Sequence, residues 1–473
     1  CCLPTPFISR LVSASHSFPT SQIRSLLSPM ARPRKNGRLP SPPIMVVDVS
    51  LYRSFCFRGE GRANIVISAK HRHTNNRIVW RFAKTRKSGE LSLKTKSMVV
   101  GEFMETMVSP LLHSNYLVKP RTVEMRVEDV HQLAKIPKLE TNSKVEDLLE
   151  LESVPSSVSL LPLSSVPQGV ATITCLEMLD ATCIPKRFIA LSDHSTVTME
   201  IKPKQGYYQN HPGIDLPYCN NCILQMEKCV GKESTFSSMY DFCPLSLFST
   251  QISEQRGALE SLIRDPHRNL RIFLDGKTVH SNETFLQREE LQRILYPEDD
   301  CSLDDLLEGV LCVLNGGSTE GGSGDGKDSL LQQLLKGQKM DELGIVKAHQ
   351  LFFTLSQKEQ AEVGRKVQSQ GGLSFLQDQS PVSLLKRFFL AATLKDCSIM
   401  ISLRLIKNDS DLEEETDLIR LPSNKTFAYS VKVVDLDPKA PKNMISSHRR
   451  LIGGASILKG DPSIRRPCIR QPL

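Results

Sequence analysis

The pattern of hydrophobic and polar positions becomes regular near residue 55 and predicts a mixture of strands and helices. Residues 57–69 are predicted to form two strands around a glycine-containing turn, and 77–82 a third strand, because both runs are rich in β-branched and aromatic residues. Helical periodicity follows at 102–112 and 127–136. Residues 140–180 are poorly patterned and rich in serine and proline, which indicates a loop-rich insertion.

The second half of the chain combines short strands with longer helices. The predicted strands are 187–191, 197–201, 270–274, 398–405 and 429–436. The predicted helices are 251–263, 303–314, 384–392 and a long helical region from about 329 to 353. Residues 316–326 form a glycine-rich connector. Beyond residue 447 the pattern dissolves into arginine, proline and glycine.

Composition and charge exclude several classes of protein. With 473 residues, 40% hydrophobic and 24% charged, the chain can bury a large core, and its length predicts two lobes or domains. The net charge of +8 lies at the ends, because residues 1–50 and 447–473 each carry six Lys or Arg and one Asp. The near-neutral centre argues against a nucleic-acid-binding protein. The longest uncharged run, 153–176, contains three prolines, so we predict no membrane span.

The first segment and the cysteines bear on location. Residues 1–50 are interpreted as a disordered extension or as sequence that is not translated, with Met30 or Met45 as the start; a nuclear signal at 32–38 and a transit peptide are alternatives. Thirteen scattered cysteines indicate a reducing compartment, and we expect the nucleus or cytoplasm.

A possible metal site lies in the middle of the chain. Cys219 and Cys222 form a CxxC motif, with His211, Cys229 and Cys243 nearby. A single CxxC without a second clear pair is a weak zinc signal. Structural zinc and free cysteines therefore both stay open.

Several segments carry residues suited to phosphoryl transfer. Glycines at i and i+2 within 59–64 let a hairpin approach nucleotide phosphates, although an ordinary hairpin turn has the same residues. Arg81, in the next strand, lies where a kinase-like lobe has a basic residue that pairs with nucleotide phosphate, or is an ordinary edge-strand arginine. Proline between Lys202 and Lys204 holds two ammonium groups together, which favours a polyanionic partner, although a solvated strand end is the alternative. Asp396 and Asp435 adjoin apolar strands and suit the two acidic roles of phosphoryl transfer, or are ordinary turn residues.

Together these segments resemble the inositol-pentakisphosphate 2-kinase family. The matching stretches, in the family's order, are 58–66, 192–194, 200–204 (EIKPK), 243–248, 269–273, 391–402 (containing KDCSIMIS) and 434–439. The resemblance implies an α/β (α+β) fold, protein-kinase-like and two-lobed, with a small antiparallel sheet in the N-lobe and a larger C-lobe. The expected divisions are an extension at 1–50, an N-lobe at 51–190, a C-lobe with an inositol-phosphate-binding insertion at 191–446 and a basic tail at 447–473.

The resemblance also implies roles for individual residues. ATP would contact the hairpin, Arg81 and a hinge at 192–194, through Gly59, Glu60, Gly61, Ala63, Asn64, Arg81, Asp193 and His194. The inositol phosphate would be held by Lys202, Lys204, Lys228, Asn269, Arg271, Asp396 and Lys439. Lys202 and Asp396 would be catalytic, with Asp396 facing the accepting hydroxyl. Asp435 would bind Mg²⁺.

The implied activity is phosphorylation of the 2-hydroxyl of inositol 1,3,4,5,6-pentakisphosphate by ATP with Mg²⁺, giving inositol hexakisphosphate. We expect a monomer without membrane or nucleic-acid partners. The alternative is a catalytically impaired scaffold of the same family that binds inositol polyphosphates. Retention of Lys202, Asp396 and Asp435 favours the enzyme, because a binding protein has no need of the metal-holding acid.

Overall fold

The computed structural model describes residues 44–60, 64–83, 93–139, 144–160, 168–230, 241–317, 328–365, 373–407 and 417–468. Residues 1–43, the tip of the predicted hairpin with Gly61 and Ala63, and most of the 316–326 connector lie outside the described residues. Within the described ranges, every helix is too short or too polar to cross a lipid bilayer.

The first lobe is built on a sheet of seven described strands. They are β1 (Met45–Val46), β2 (Tyr52–Glu60), β3 (Asn64–His71), β4 (Arg77–Ala83), β5 (Arg121–Arg126), β6 (Lys144–Val145) and β7 (Thr172–Leu179). Their spatial order is β1-β5-β7-β4-β3-β2-β6, and only the β1–β5 pair is parallel. Helices α1 (Leu93–Phe103) and α2 (Val127–Leu133) belong to this part of the chain.

Alternation along β4 shows how this sheet separates a core from a cleft. Ile78, Trp80 and Phe82 are buried in the hydrophobic core of the lobe. The indole nitrogen of Trp80 donates a hydrogen bond to Glu177 Oε2 at 3.0 Å, so the buried ring keeps a polar partner. Because successive side chains of a strand point to opposite faces, Arg81 faces the cleft between the lobes.

The second lobe is built on an antiparallel sheet of six described strands with helices packed around it. The strands are β8 (Val197–Ile201), β9 (Leu270–Leu274), β10 (Lys277–His280), β11 (Ser398–Ile406), β12 (Leu418–Arg420) and β13 (Thr426–Val434), in the order β10-β9-β8-β11-β13-β12. The helices from residue 186 onward are α3 (Lys186–Ile189), α4 (Asn220–Cys229), α5 (Pro244–Leu247), α6 (Ile252–Arg264), α7 (Arg288–Leu295), α8 (Leu303–Leu314), α9 (Leu330–Gln338), α10 (Gly344–Thr354), α11 (Gln357–Val363), α12 (Pro381–Leu394) and α13 (Pro441–Gly460).

Helix α8 illustrates why these segments fold as they do. Ser302 and Asp305 form a capping box that satisfies main-chain N–H groups at the start of the helix. Buried residues such as Leu307 and Val310 then recur at helical spacing and join the large core of the second lobe. The two sheets and their helices confirm the prediction of a two-lobed α+β, kinase-like fold.

Three secondary-structure predictions were wrong. The predicted strand 187–191 is the four-residue helix α3, which begins directly after Pro185 because proline suits the start of a helix. The segment 140–180 contains β7, a strand between β5 and β4 that is buried along most of its length and therefore lacks alternation. Beyond residue 447 the chain continues as helix α13.

Glycines in α13 explain why it was not recognised. Gly453 and Gly454 look like helix breakers in the sequence, but they allow α13 to approach α4 closely. A Cβ atom on Gly454 would overlap the main-chain carbonyl oxygen of Ile223. The helix is therefore held by packing rather than by intrinsic propensity.

Candidate active site

A cavity of about 640 Å³ lies between the two sheets. Strands of the first lobe contribute Gly59, Glu60, Asn64, Val66, Val79 and Arg81 to its lining. Strands of the second lobe and their flanking loops contribute Glu200, Lys202, Asn269, Arg271 and Asp435. The cavity therefore brings together several residues from both halves of the chain that were singled out in the sequence, whereas Lys204, Lys228, Asp396 and Lys439 are not among the described residues that line it.

Gly59 lies where the first lobe approaches the second. A Cβ atom at this position would come within 3.3 Å of the Arg271 guanidinium, so a side chain here would crowd that arginine. Glu60 and Asn64 flank the tip of the hairpin, whose Gly61 and Ala63 lie outside the described residues. The described part of the hairpin thus lies over a basic residue of the opposite lobe.

Arg81 connects the lobes through two acids. Its guanidinium donates two hydrogen bonds of 2.7 Å to the carboxylate of Asp437 and lies 3.6 Å from Asp435. Burial opposes its charge, but Asp437 and then Asp435 outweigh burial and raise the pKa of Arg81. This bidentate geometry gives Arg81 a fixed orientation in the cleft.

Lys202 and Asp435 form a second contact in the cavity, with 3.7 Å between Nζ and Oδ2. Burial opposes the charge of Lys202, but Asp435 and Glu200 outweigh it and raise the pKa of the lysine. The side chain of Asp435 is 44% exposed, so its hard carboxylate oxygens are accessible in the cleft and suit a divalent cation such as Mg²⁺.

Asp396 is held between two lysines. Lys204 Nζ donates to Oδ1 at 3.0 Å, and Lys439 Nζ donates to Oδ2. Burial alone would raise the pKa of Asp396, but the charges of Lys204 and Lys439 outweigh it and hold the pKa well below its usual range. The carboxylate is therefore ionised in the free protein.

Two of these residues have an unusual backbone conformation. Lys204 (φ 61°) and Asp435 (φ 60°) both lie in the left-handed region, although neither is glycine. Each such residue costs on the order of 1–3 kcal/mol and persists only where the surroundings enforce it. The fold therefore maintains a strained main chain at two positions that carry candidate functional side chains.

The remaining predicted phosphate contacts come from β9, its preceding turn and α4. The Asn269 carbonyl accepts a hydrogen bond from Lys202 N–H at 2.8 Å, and Arg271 Nη1 lies 3.9 Å from Glu200. Lys228, near the end of α4, is half-buried. Burial, reinforced by the nearby charges of Lys204 and Arg450, lowers the pKa of Lys228 to about 8.

The predicted hinge residues Asp193 and His194 lie on the loop before β8. Among the described residues that line the cavity, neither Asp193 nor His194 occurs. His194 Nε2 lies 3.1 Å from Asp300, and Asp193 is exposed on the adjoining loop. The cavity is lined by residues 179–182, which comprise the last residue of β7 and the three residues after it. They are the better candidates for contacts with the adenine base, because they join the two lobes.

Sequence reasoning missed a buried ion pair beside this segment. Arg58 Nη2 donates to Asp180 Oδ2 at 3.0 Å, Arg58 Nε donates to Ser68 Oγ at 2.9 Å, and Asp180 is almost fully buried. Arg58 belongs to a motif that the sequence offered, but Asp180 lies at the end of the segment interpreted as loop. The separation of 122 residues gave no local signal.

A separate cluster answers the question raised by the CxxC motif. The thiols of Cys219, Cys222, Cys243 and Cys468 lie within 4.8 Å of one another. Tetrahedral zinc with Zn–S bonds of about 2.3 Å requires sulfur atoms about 3.8 Å apart, and the Cys219–Cys243 separation is 3.9 Å. The four sulfur donors therefore fit Zn²⁺.

The surroundings of the cluster support the same interpretation. Burial opposes the charge of Arg465, but Cys222 and the other thiols outweigh burial and raise the pKa of the arginine. A cation here offsets the negative charge of four thiolates around one Zn²⁺. His211 contacts Asn220 instead, and Cys229 is not a member of the cluster.

The fold and the cleft define a protein of the kinase-like class, with acids from one lobe facing a glycine-containing hairpin of the other. Comparison with known proteins narrows this class. The family model described as inositol-pentakisphosphate 2-kinase matches residues 57–451, so the chain belongs to that family. The resemblance inferred from the motifs is thereby confirmed.

Individual relatives carry the same name. The chain is 29% identical over 291 residues to an inositol-pentakisphosphate 2-kinase of Arabidopsis thaliana, covering 55% of this chain and 62% of the relative. It is 27% identical over 277 residues to one of Oryza sativa subsp. indica, covering 53% and 58%. It is 24% identical over 461 residues to one of Danio rerio, covering 81% and 88%. The alignments thus span less than two thirds of the two plant relatives.

Proposed function

We propose that this protein transfers the γ-phosphoryl group of ATP to the 2-hydroxyl of inositol 1,3,4,5,6-pentakisphosphate, giving ADP and inositol hexakisphosphate. The observation that carries the proposal is the clamping of Asp396 by Lys204 and Lys439 close to the Lys202–Asp435 pair. Such an array combines an acid for a hydroxyl, an acid for a metal and cations for phosphates. Family membership supports the same activity.

The cations suit a highly charged substrate. Inositol pentakisphosphate carries roughly eight to ten negative charges, since each phosphate contributes about −1.5 to −2 at neutral pH. Lys204, Lys228, Arg271 and Lys439 come from four separate segments, as recognition of phosphates on several sides of a ring requires. Asn269 adds a neutral polar group beside Arg271.

The environment of Asp396 explains how it can change its basicity during the reaction. In the free protein Lys204 and Lys439 lower its pKa, so it is a weak base. When these lysines bind substrate phosphates, their charges are shared and the pKa of Asp396 rises toward its ordinary value. The carboxylate then orients the 2-hydroxyl and accepts its proton as the new P–O bond forms and the bond between the γ-phosphorus and the bridging oxygen of ATP breaks.

The other cleft residues are assigned to the nucleotide and to charge stabilisation. Asp435 would hold Mg²⁺, which supplies neutralisation of charge on the transferred phosphoryl group when bound. Lys202 offsets the same charge from the protein side. The hairpin residues and Arg81 hold the phosphates of ATP. Arg81 exchanges its contact with Asp437 for these phosphates.

The test uses the full chain with ATP, Mg²⁺ and inositol pentakisphosphate, and separates the products by ion-exchange chromatography. We expect hexakisphosphate and ADP in equal amounts from the wild-type protein and neither from Asp435→Asn. Tight binding of inositol polyphosphates without ADP formation would refute the enzyme and leave the scaffold alternative. Hexakisphosphate formation at an undiminished rate by Asp435→Asn would refute the site assignment.

A further inference from the structure

We propose that Gln338, together with the buried Asp341–Lys395 ion pair, is a positioning device that sets the spacing between Lys204 and Asp396. The inference rests on the proposed function of those two residues and deepens it. Gln338 bonds to main chain beside Lys204 and beside Asp396, and Lys395 of the ion pair directly precedes Asp396. All three act through main chain that carries the functional side chains.

Gln338 connects two segments that are distant in sequence. It is fully buried at the end of α9. Its side-chain Nε2 donates to the Lys204 carbonyl at 2.8 Å and to the Leu394 carbonyl at 3.2 Å. Its Oε1 accepts from Gly206 N–H at 2.8 Å. One amide therefore holds the main chain that follows Lys204, on both sides of Gln205, and links it to the end of α12, two residues before Asp396.

Asp341 restrains the main chain next to Asp396. Its buried carboxylate accepts from Lys395 Nζ at 2.6 Å and from the Gly344 and Leu343 N–H groups at the start of α10. Its main-chain carbonyl accepts from the hydroxyl of Tyr207 at 3.1 Å. Lys395 directly precedes Asp396, so the ion pair fixes the main chain from which the catalytic carboxylate projects.

The left-handed conformation of Lys204 explains why such a device is useful. A non-glycine residue relaxes out of this region unless its neighbours restrain it. Gln338 bonds to the carbonyl of Lys204 and to the N–H of Gly206, which are the groups that would move during relaxation. Loss of these bonds is expected to release Lys204 from Asp396, where Nζ and Oδ1 now lie 3.0 Å apart.

Gln338→Glu tests the role of the amide with a minimal change of shape. Glutamate keeps the acceptor for Gly206 N–H, but it replaces the donor by an oxygen that faces the carbonyls of Lys204 and Leu394. We expect kcat/KM for the inositol phosphate to fall at least tenfold, because small misplacements of reacting groups cost about that much or more. KM for ATP should stay within twofold of the wild-type value.

Gln292→Glu is the matched control. Gln292 also bridges two main-chain groups, since its Nε2 donates to the Cys301 carbonyl and its Oε1 accepts from Leu303 N–H. These partners lie at the start of α8 and not in the segments that carry Lys204 or Asp396. We expect Gln292→Glu to lower the melting temperature while leaving kcat and both KM values unchanged. A purely structural role of Gln338 would make the two variants kinetically alike.

Gln338→Met decides the question if the glutamate variant does not fold, since it removes the hydrogen bonds without adding a charge. A folded Gln338 variant with wild-type kcat and KM for the inositol phosphate would overturn the inference. Absence of turnover in the wild-type protein would refute the proposed function instead. In that case calorimetry still tests the inference. We expect Gln338→Met to bind inositol hexakisphosphate at least threefold more weakly than Gln292→Glu does. Equal affinities of the two variants would overturn the inference.

Discussion

Lys228 provides a prediction in which the pH dependence of substrate binding is set by one half-buried side chain. Its pKa is lowered to about 8 by burial and by the neighbouring charges of Lys204 and Arg450. The lysine therefore begins to lose its proton just above neutral pH in the free protein. We predict that affinity for the inositol phosphate weakens above pH 8, and that Lys228→Arg removes this dependence.

The expected size follows from the fraction of protonated lysine. With a pKa of about 8, about nine tenths of Lys228 is charged at pH 7 and about one tenth at pH 9, since each pH unit changes the ratio tenfold. If only the charged form binds, KM for the inositol phosphate rises about tenfold between these pH values. Arginine stays protonated throughout this range, so the variant should show a flat profile.

The lowered pKa of Lys228 also predicts how the free energy of unfolding changes with pH. The folded pKa of Lys228 lies below the ordinary lysine value of 10.5. Between these two values the unfolded chain binds more protons than the folded one, so this residue makes the unliganded protein more stable as pH rises from 8 to 10.5. Lys228→Arg should lack this gain relative to the wild type, whereas other titrating groups act equally on both proteins.

The assay measures KM for the inositol phosphate and for ATP from pH 6.5 to 9.5 at constant ionic strength. Constant salt is essential because these contacts are ionic and screened. Calorimetry in two buffers of different ionisation enthalpy at pH 8 measures proton uptake on binding, which we expect from the wild type and not from Lys228→Arg. Parallel KM profiles for the two proteins would refute the assignment of Lys228, as would an equal rise in KM for ATP.

Three further predictions concern the two acids and the thiol cluster. Asp435→Asn should abolish turnover but leave calorimetric binding of the inositol phosphate within threefold, because it removes charge stabilisation needed only during transfer; residual activity above a few per cent contradicts this. Asp396→Ala should lower kcat about 100-fold or more with unchanged ATP affinity, and parallel loss of melting temperature and ATP binding would instead indicate a structural role. Metal analysis should find about one zinc per chain, and Cys468→Ser should release it and lower the melting temperature by several degrees; equal zinc contents in both proteins exclude Cys468 as a ligand.

Local motifs allowed the strands that carry the functional side chains to be predicted. Lys202 directly follows one strand rich in β-branched residues and Asp435 directly follows another, so their positions at strand ends could be predicted from short segments. The pairing of Lys204 with Asp396 could not, because 192 residues separate them. The residues that contact the main chain beside them, Gln338 at the end of α9 and Asp341 in the following turn, have no motif of their own.

Strand β7 and the residues after it could not be predicted from the sequence for a different reason. Strand β7 is buried on both faces and follows a stretch rich in serine and proline, so it offered neither alternation nor a clear boundary. Because β7 was interpreted as loop, its end, which carries Asp180 and lines the cavity, was not considered as a site segment. Once β7 is placed next to β4, residues 179–182 must cross between the sheets beside the cavity.

The thiol cluster could be predicted only in part from the sequence. The CxxC pair follows from local spacing, whereas the contact with Cys468 depends on helix packing. Cys219 and Cys222 lie at the start of α4, where their spacing of three places both thiols on the same side. Cys468 reaches them only because α13 packs against α4 at Gly454, where even one Cβ atom would overlap Ile223. The same helix pair carries Lys228 on α4 and Arg450 on α13, whose charges interact. A metal at the thiols would therefore stabilise the helix contact that also sets the charge of a predicted phosphate-binding lysine.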